Sequence, residues 1–84
     1  MTIGDITNHS GAPKELKVLG LVGPSDLTLR LQQLGFIQGE TIWFLGRTAF
    51  QGPFLVELRG VAVALRDIEA RCLEVKWIDQ GSDR

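Results

Sequence analysis

At 84 residues the chain is one domain, and a domain this short buries roughly 60–65% of the surface its unfolded form exposes, so its core has to be efficient. Hydrophobic residues make up 44% of it, which excludes a disordered chain, and the net charge of -1 (9 basic, 10 acidic) lacks the basic excess that marks nucleic-acid binders. A lone Cys72 excludes an internal disulfide and fits a reducing compartment, and the longest purely apolar run, Val61 to Leu65, falls far short of the ~20 residues of a membrane helix.

Met1 to Pro13 reads as a partly irregular arm, with Thr2-Ile3-Gly4-Asp5-Ile6 as one helical turn or an extended piece and no basic-plus-apolar leader pattern. Lys14 to Val22 reads as a strand with Leu16, Val18 and Val22 on one face, and Gly20 inside it suggests a bulge or a strong bend. Gly23-Pro24-Ser25 ends that strand and begins a helix, with Ser25 as the expected N-cap and Asp26 in the first turn. Leu27, Leu31 and Leu34 form its core-facing stripe, Asp26 and Arg30 its i,i+4 pair, and Leu29 points away from the stripe.

Gly35 stands where the helix needs a left-handed cap, Phe36 and Ile37 supply an apolar step, Gly39 makes a second turn and Glu40 opens a strand running to Arg47. In that strand Ile42, Phe44 and Gly46 share one face and Thr41, Trp43, Leu45 and Arg47 the other. Thr48 to Pro53 is a loop with Gln51-Gly52-Pro53 as turn chemistry. Phe54, Val56 and Leu58 alternate inward against Leu55, Glu57 and Arg59, Gly60 marks a tight connection, and Val61, Val63 and Leu65 alternate with Ala62, Ala64 and Arg66. Asp67 caps a short helical turn to Arg71 with Ile68 packed inward, Cys72 to Ile78 is the last strand, and Gln80 to Arg84 is a fraying tail.

Residues 1–84 therefore read as a single, mainly β domain of about five short strands, with one α-helix inserted after the first strand and a short helical turn before the last. Strands this short do not leave open edges cheaply, so closure into a small barrel is the expected solution. Leu27, Leu31, Leu34, Phe36, Ile42, Phe44, Val56, Leu58, Val63 and Leu65 are its expected core.

Leu31-x-x-Leu34-Gly35-Phe36-Ile37-x-Gly39, an apolar strand, Gly52-Pro53, then Val56-x-Leu58-x-Gly60-x-x-Val63-Ala64-Leu65-Arg66, Ala70 and Val75 together resemble the FeoA family, as does the opening Thr2-Ile3-Gly4-Asp5-Ile6. The likeness lies in the order and spacing of these pieces over nearly the whole chain. It implies an SH3-like small barrel with an inserted helix and a cytoplasmic accessory role in bacterial ferrous iron transport. It also implies a partner, the membrane Fe(II) transporter FeoB with its cytoplasmic GTPase domain. Where family members often carry an Arg-Arg-Ala-Pro-Leu-Gly-Asp-Pro run, this chain has Gly46-Arg47-Thr48-Ala49-Phe50-Gln51-Gly52-Pro53, which lacks one basic residue, one proline and one carboxylate and is more apolar.

No residue set is nominated for catalysis, for a cofactor or for a metal. His9 lies in a loop of small residues, and Cys72 reads as a packed thiol with no histidine nearby in sequence. No GxxxxGK[ST] loop, CxxC, HxxxH or EF-hand spacing occurs. Partner binding is the stronger reading: Leu29 and Trp43 are apolar residues that patterning does not bury, with Arg30, Arg47 and Arg59 as a rim and Phe50 in the divergent loop. A packed Trp43 and a solitary exposed Leu29 are the bland alternatives. An SH3-type adaptor for proline-rich peptides and a regulatory nucleic-acid-binding barrel remain as rival functions, disfavoured by an aromatic content of 7% without tyrosine and by the acidic balance. Self-association stays open.

Overall fold

Two bulges and two glycine turns bend one antiparallel sheet around the core of this protein. The computed structural model describes residues 1–7 and 12–78. Elements follow in the order of a 3₁₀ turn at Ile3–Asp5, β1 (Lys14–Leu21), α1 (Ser25–Leu34), β2 (Thr41–Arg47), β3 (Phe54–Leu58), β4 (Val61–Leu65), α2 (Asp67–Ala70) and β5 (Leu73–Trp77). The strands stand in the order β4-β3-β2-β1-β5, all neighbours antiparallel.

The bend predicted at Gly20 is a register shift between Val18 and Gly20 against β5. A second one, between Phe44 and Gly46 against β3, uses Gly46 at a φ of 135°. They curl the sheet so that Leu16, Val18, Ile42, Phe44, Phe54, Val56 and Leu65 turn one way onto Leu31, Phe36 and Ile3. Each fully buried side chain of that size contributes roughly 1.5–3 kcal/mol relative to leaving it in water.

The expected closure into a barrel does not occur, because no ladder joins β4 to β5. The four-residue α2 lies between these two strands in the chain and packs on β4, α1 and the N-terminal turn, so a helical turn stands where a last pairing would close the ring. The outer side of β5 is instead met by the N-terminus: the Val75 N–H donates to the Met1 carbonyl at 2.8 Å, and Thr2 bridges to Glu74. The expected arm at residues 1–13 is thus anchored at its start, with Ile3 fully buried, while the expected tail at 80–84 lies outside the described residues.

Gly35 is left-handed, with φ 112° and ψ 5°. Its N–H donates to the Gln32 carbonyl at 3.0 Å and the Phe36 N–H to the Leu31 carbonyl at 3.1 Å, a Schellman arrangement in which Phe36 and Leu31 are both buried. Gly39, at φ 91°, then donates to the Val18 carbonyl while the Val18 N–H donates to Glu40, each at 2.8 Å. The helix is tied to β1 through these two glycines.

Several local expectations need correction. Pro24, not Ser25, occupies the cap position of α1, because the chain is already helical at Ser25; Pro24 supplies its carbonyl to Leu27 and Thr28. Arg30 pairs with Glu69 at 3.7 Å rather than with Asp26, since α2 packs alongside α1. Leu34, expected in the core, is 48% exposed at the last residue of the ten-residue helix, where the following Phe36 takes the buried position. Ile37 is exposed while its neighbour Phe36 takes the core position, and Leu27 and Val63 are only partly buried. In α2 Arg66 is the cap residue instead of Asp67, and Ile68 faces solvent while Glu69 turns inward. β2 and β5 begin one residue later than expected, at Thr41 and Leu73.

Candidate functional site

The connection from β2 to β3 is built to hold a large apolar side chain entirely in solvent. The Gly52 N–H donates to the Ala49 carbonyl at 3.2 Å, closing a turn whose central residues, Phe50 and Gln51, both have positive φ (59° and 57°). That is the type I′ arrangement, which ordinarily calls for Asn-Gly. Phe50 at its tip is 101% exposed.

The loop is locked from both sides. The Arg47 Nε donates to the Gly52 carbonyl at 2.9 Å and its terminal nitrogen to the Gln51 carbonyl at 3.2 Å. The same terminal nitrogen lies 3.6 Å from Asp67 of α2. The Thr48 N–H and hydroxyl both donate to the Pro53 carbonyl, at 3.0 and 3.1 Å. A Cβ at Gly52 would collide with the Thr48 hydroxyl, so any larger residue there forces Thr48 to move. Beside the tip lies a depression of about 420 Å³ walled by Ile6, Thr7, Phe44, Arg47 and Gln51. An exposed aromatic ring next to a concavity, both on a fixed scaffold, is an arrangement suited to recognising another macromolecule.

The six positions singled out from the sequence do not form one patch. Arg47 and Phe50 share the β2–β3 loop. Arg59 sits at the other end of the same two strands, in the β3–β4 turn, where its guanidinium makes two bonds to the Glu40 carboxylate at 3.1 and 3.2 Å. Its positive charge is held above the ordinary arginine range by those bonds and by the Glu40 charge. Trp43 is 37% exposed on the outer face of β2, with Glu15 and Glu57 opposite it on the flanking strands. Leu29 is 54% exposed on α1, and Arg30, one residue on, reaches Glu69.

Sequence reasoning passed over Glu69, which is 5% exposed and accepts the Arg66 N–H at 2.9 Å. An acidic residue three positions after the start of a helical turn is the sequence signal that would have found it. Sequence reasoning placed Gln51 in a turn but did not anticipate the positive φ of Phe50, Gln51 and Arg59.

Cys72 is buried just before β5, its thiol donating to the Ile68 carbonyl at 3.3 Å. Burial pushes the thiol above its ordinary range, and the Asp26 and Glu69 carboxylates push it further. Such a thiol is a poor nucleophile. His9 lies outside the described residues. Among the described residues no three His, Cys, Asp or Glu side chains converge as metal ligands, and no helix is long and apolar enough to cross a membrane.

The FeoA domain model matches residues 7–76. The FeoA-like protein of Clostridium acetobutylicum, solved by NMR, is similar at a TM-score of 0.79 and 21% identity, covering 100% of this chain and 93% of its own. The iron(II) transport protein A of Clostridium thermocellum gives 0.76 at 20% identity, over 93% of this chain and 46% of its own. The manganese-activated repressor ScaR in its apo form gives 0.77 at 23% identity, over 93% of this chain but only 35% of the repressor. At these identities the likeness establishes the small SH3-like β fold. No curated protein matches the sequence.

Proposed function

Because the chain belongs to the FeoA domain family, we propose that it is a non-enzymatic accessory of ferrous iron uptake, working in the cytoplasm by docking on the cytoplasmic part of the Fe(II) transporter FeoB. The observation that carries this reading is Phe50, a fully exposed aromatic ring on a loop locked by Arg47. Rigid aromatic side chains lose little conformational entropy on binding and dominate protein interfaces. The raised Cys72 thiol supports a role without bond chemistry.

Docking of this kind changes the transporter only through a difference in affinity between the partner's states. The loop departs from the run that the family resemblance leads one to expect, and it presents a more apolar contact. Leu29 on α1 and Trp43 on β2 are separate candidate contacts away from the loop, and of the three arginines only Arg47 borders Phe50, while Arg30 and Arg59 pair elsewhere with Glu69 and Glu40.

The test is a calorimetric titration of this chain into the cytoplasmic part of the cognate FeoB, without nucleotide, with GDP and with a GTP analogue. Saturable binding that is weakened by Phe50→Ala is the expected result, with Leu29→Asp and Trp43→Ala measured alongside. Absence of saturable binding in every condition would remove the reading; binding that ignores Phe50→Ala would move the surface elsewhere.

A further inference from the structure

Arginines flank α2 on both sides. Asp67 and Glu69 lie two positions apart in this single helical turn, so at 100° per residue their side chains leave on nearly opposite flanks. Asp67 holds the Arg71 Nε at 2.8 Å and the Arg47 terminal nitrogen at 3.6 Å. Glu69 holds the Arg66 terminal nitrogen at 3.5 Å and the Arg30 Nε at 3.7 Å. Four cations thus stand over two carboxylates, with Asp5 close enough to Arg71 to be influenced by its charge. Ile68, half exposed, rides on the crest between the two pairs. A guanidinium has five N–H donors, and the side chains of Arg30, Arg66 and Arg71 stay 65%, 61% and 70% exposed beside these carboxylates, so donors are left over for a further acceptor.

We propose that α2 docks an acidic segment of the partner polypeptide, with carboxylates on the two arginine pairs and an apolar side chain against Ile68; the partner's identity rests on the FeoB reading. The planar fork of arginine matches a carboxylate and holds it through two parallel bonds. A helical turn is about 10–12 Å across, side chains included, a span that an extended chain covers in roughly three or four residues at about 3.3 Å each. A short segment with a carboxylate on either side of one apolar residue therefore fits this surface. Arg47 makes the surface continuous with the loop, because the nitrogen that meets Asp67 also donates to the Gln51 carbonyl beside Phe50. A long polyanion such as a nucleic acid fits less well, since the chain as a whole carries a net charge of -1.

Fluorescence anisotropy of a labelled peptide of repeated Glu-Ile-Glu units, titrated with the full chain, tests the proposal beside the calorimetric titration into the cytoplasmic part of FeoB. The expected result is saturable peptide binding that weakens as salt is added. Arg66→Gln and Arg71→Gln each weaken peptide and FeoB binding about fivefold, the upper end for an exposed ion pair. Lys76→Gln, which removes an exposed charge from β5, leaves both unchanged. Melting curves verify that the glutamine variants fold. Peptide binding that depends on the arginines, without any FeoB binding, supports the acidic-segment surface and removes FeoB as its partner. FeoB binding that ignores salt and both arginine variants overturns the proposal and leaves the docking reading standing. Absence of peptide binding overturns it, as does equal binding of a Lys-Ile-Lys peptide. Binding of anionic phospholipid vesicles in place of the peptide assigns the arginines to a membrane surface and overturns it too.

Discussion

The central guanidinium carbon of Arg47 stands 4.2 Å from the centroid of the Phe54 ring. From there the guanidinium holds the carbonyls of Gln51 and Gly52. One side chain thus links the end of the core, through the buried Phe54, to the loop that exposes Phe50. A lysine keeps the charge but loses the planar fork and most of the stacking. Arg47→Lys is expected to cost about 1 kcal/mol, seen as a melting temperature lower by roughly 4–8 °C, with FeoB binding weakened more than that loss of stability would produce. Thermal melts and the same calorimetric titration measure the two effects separately.

Phe50 and Gln51 both occupy a left-handed conformation that costs an L-residue with a Cβ roughly 1–2 kcal/mol. The pair Asn-Gly meets the same turn without that cost. The double variant Phe50→Asn, Gln51→Gly is therefore expected to melt several degrees higher than the natural chain and to bind FeoB at least tenfold more weakly, about 1.4 kcal/mol. Stability and docking would move in opposite directions, the pattern expected when strain is kept for function. Equal or lower stability in the double variant would show that the loop is not strained.

Gly35 ends α1 at a φ of 112°, and a Cβ there would stand 3.1 Å from a Leu58 methyl. Gly35→Ala meets both a backbone penalty and a crowded neighbour on β3. A loss of about 1–3 kcal/mol in chemical denaturation is expected, with m unchanged. Gly39→Ala makes a useful comparison: its φ is also positive but open space surrounds the position, so only the backbone penalty applies and the loss is expected to be smaller.

The Gly35 junction was legible in the sequence because a left-handed cap leaves glycine almost as the sole choice. The strands were legible because a period of two survives in Phe54-Leu55-Val56-Glu57-Leu58. Closure was not legible: whether β4 meets β5 depends on where four residues of α2 come to rest, and no periodicity encodes that. The inward turn of Glu69 over Ile68 runs against hydrophobicity because the carboxylate satisfies a backbone N–H that is otherwise left without a partner. At the candidate site, Phe50 was named because its loop departs from the run often seen in the resembling family and is more apolar. The lock on its loop depends on Arg47 meeting Phe54 across the hairpin, and the Arg59–Glu40 bond joins residues 19 apart, so neither could be read from neighbours in the chain.

Glu69 joins two kinds of interaction that mutation can separate. Its buried carboxylate accepts the Arg66 N–H at 2.9 Å, and it lies 3.7 Å from Arg30 and 3.5 Å from the Arg66 guanidinium, both largely solvent-exposed. Ion pairs with exposed partners contribute little after solvent screening, whereas an orphaned, partly buried N–H costs about 1–3 kcal/mol. Glu69→Gln, which keeps an acceptor, is expected to lose less than about 1 kcal/mol. Glu69→Ala is expected to lose clearly more in urea unfolding. Equal losses in the two variants would transfer the stabilisation to the charges.

Asp5 accepts the Thr2 N–H at 2.8 Å, closing the N-terminal turn that brings Met1 to Val75. That bond, aided by the N-terminal ammonium and Arg71, holds its carboxyl below the ordinary value of 3.8. Because the folded state binds this proton less readily than the unfolded state, the stabilisation is complete above pH 3.8 and disappears as pH falls through the lowered folded value. Asp5→Ala should therefore melt below the natural chain at neutral pH, and the gap should close as the solution is acidified past the folded value. The difference between the two proteins' melting curves at each pH reads the contribution of Asp5. A gap that stays constant down to the lowest pH would mean that the carboxylate's charge has no part in holding the N-terminal turn against β5.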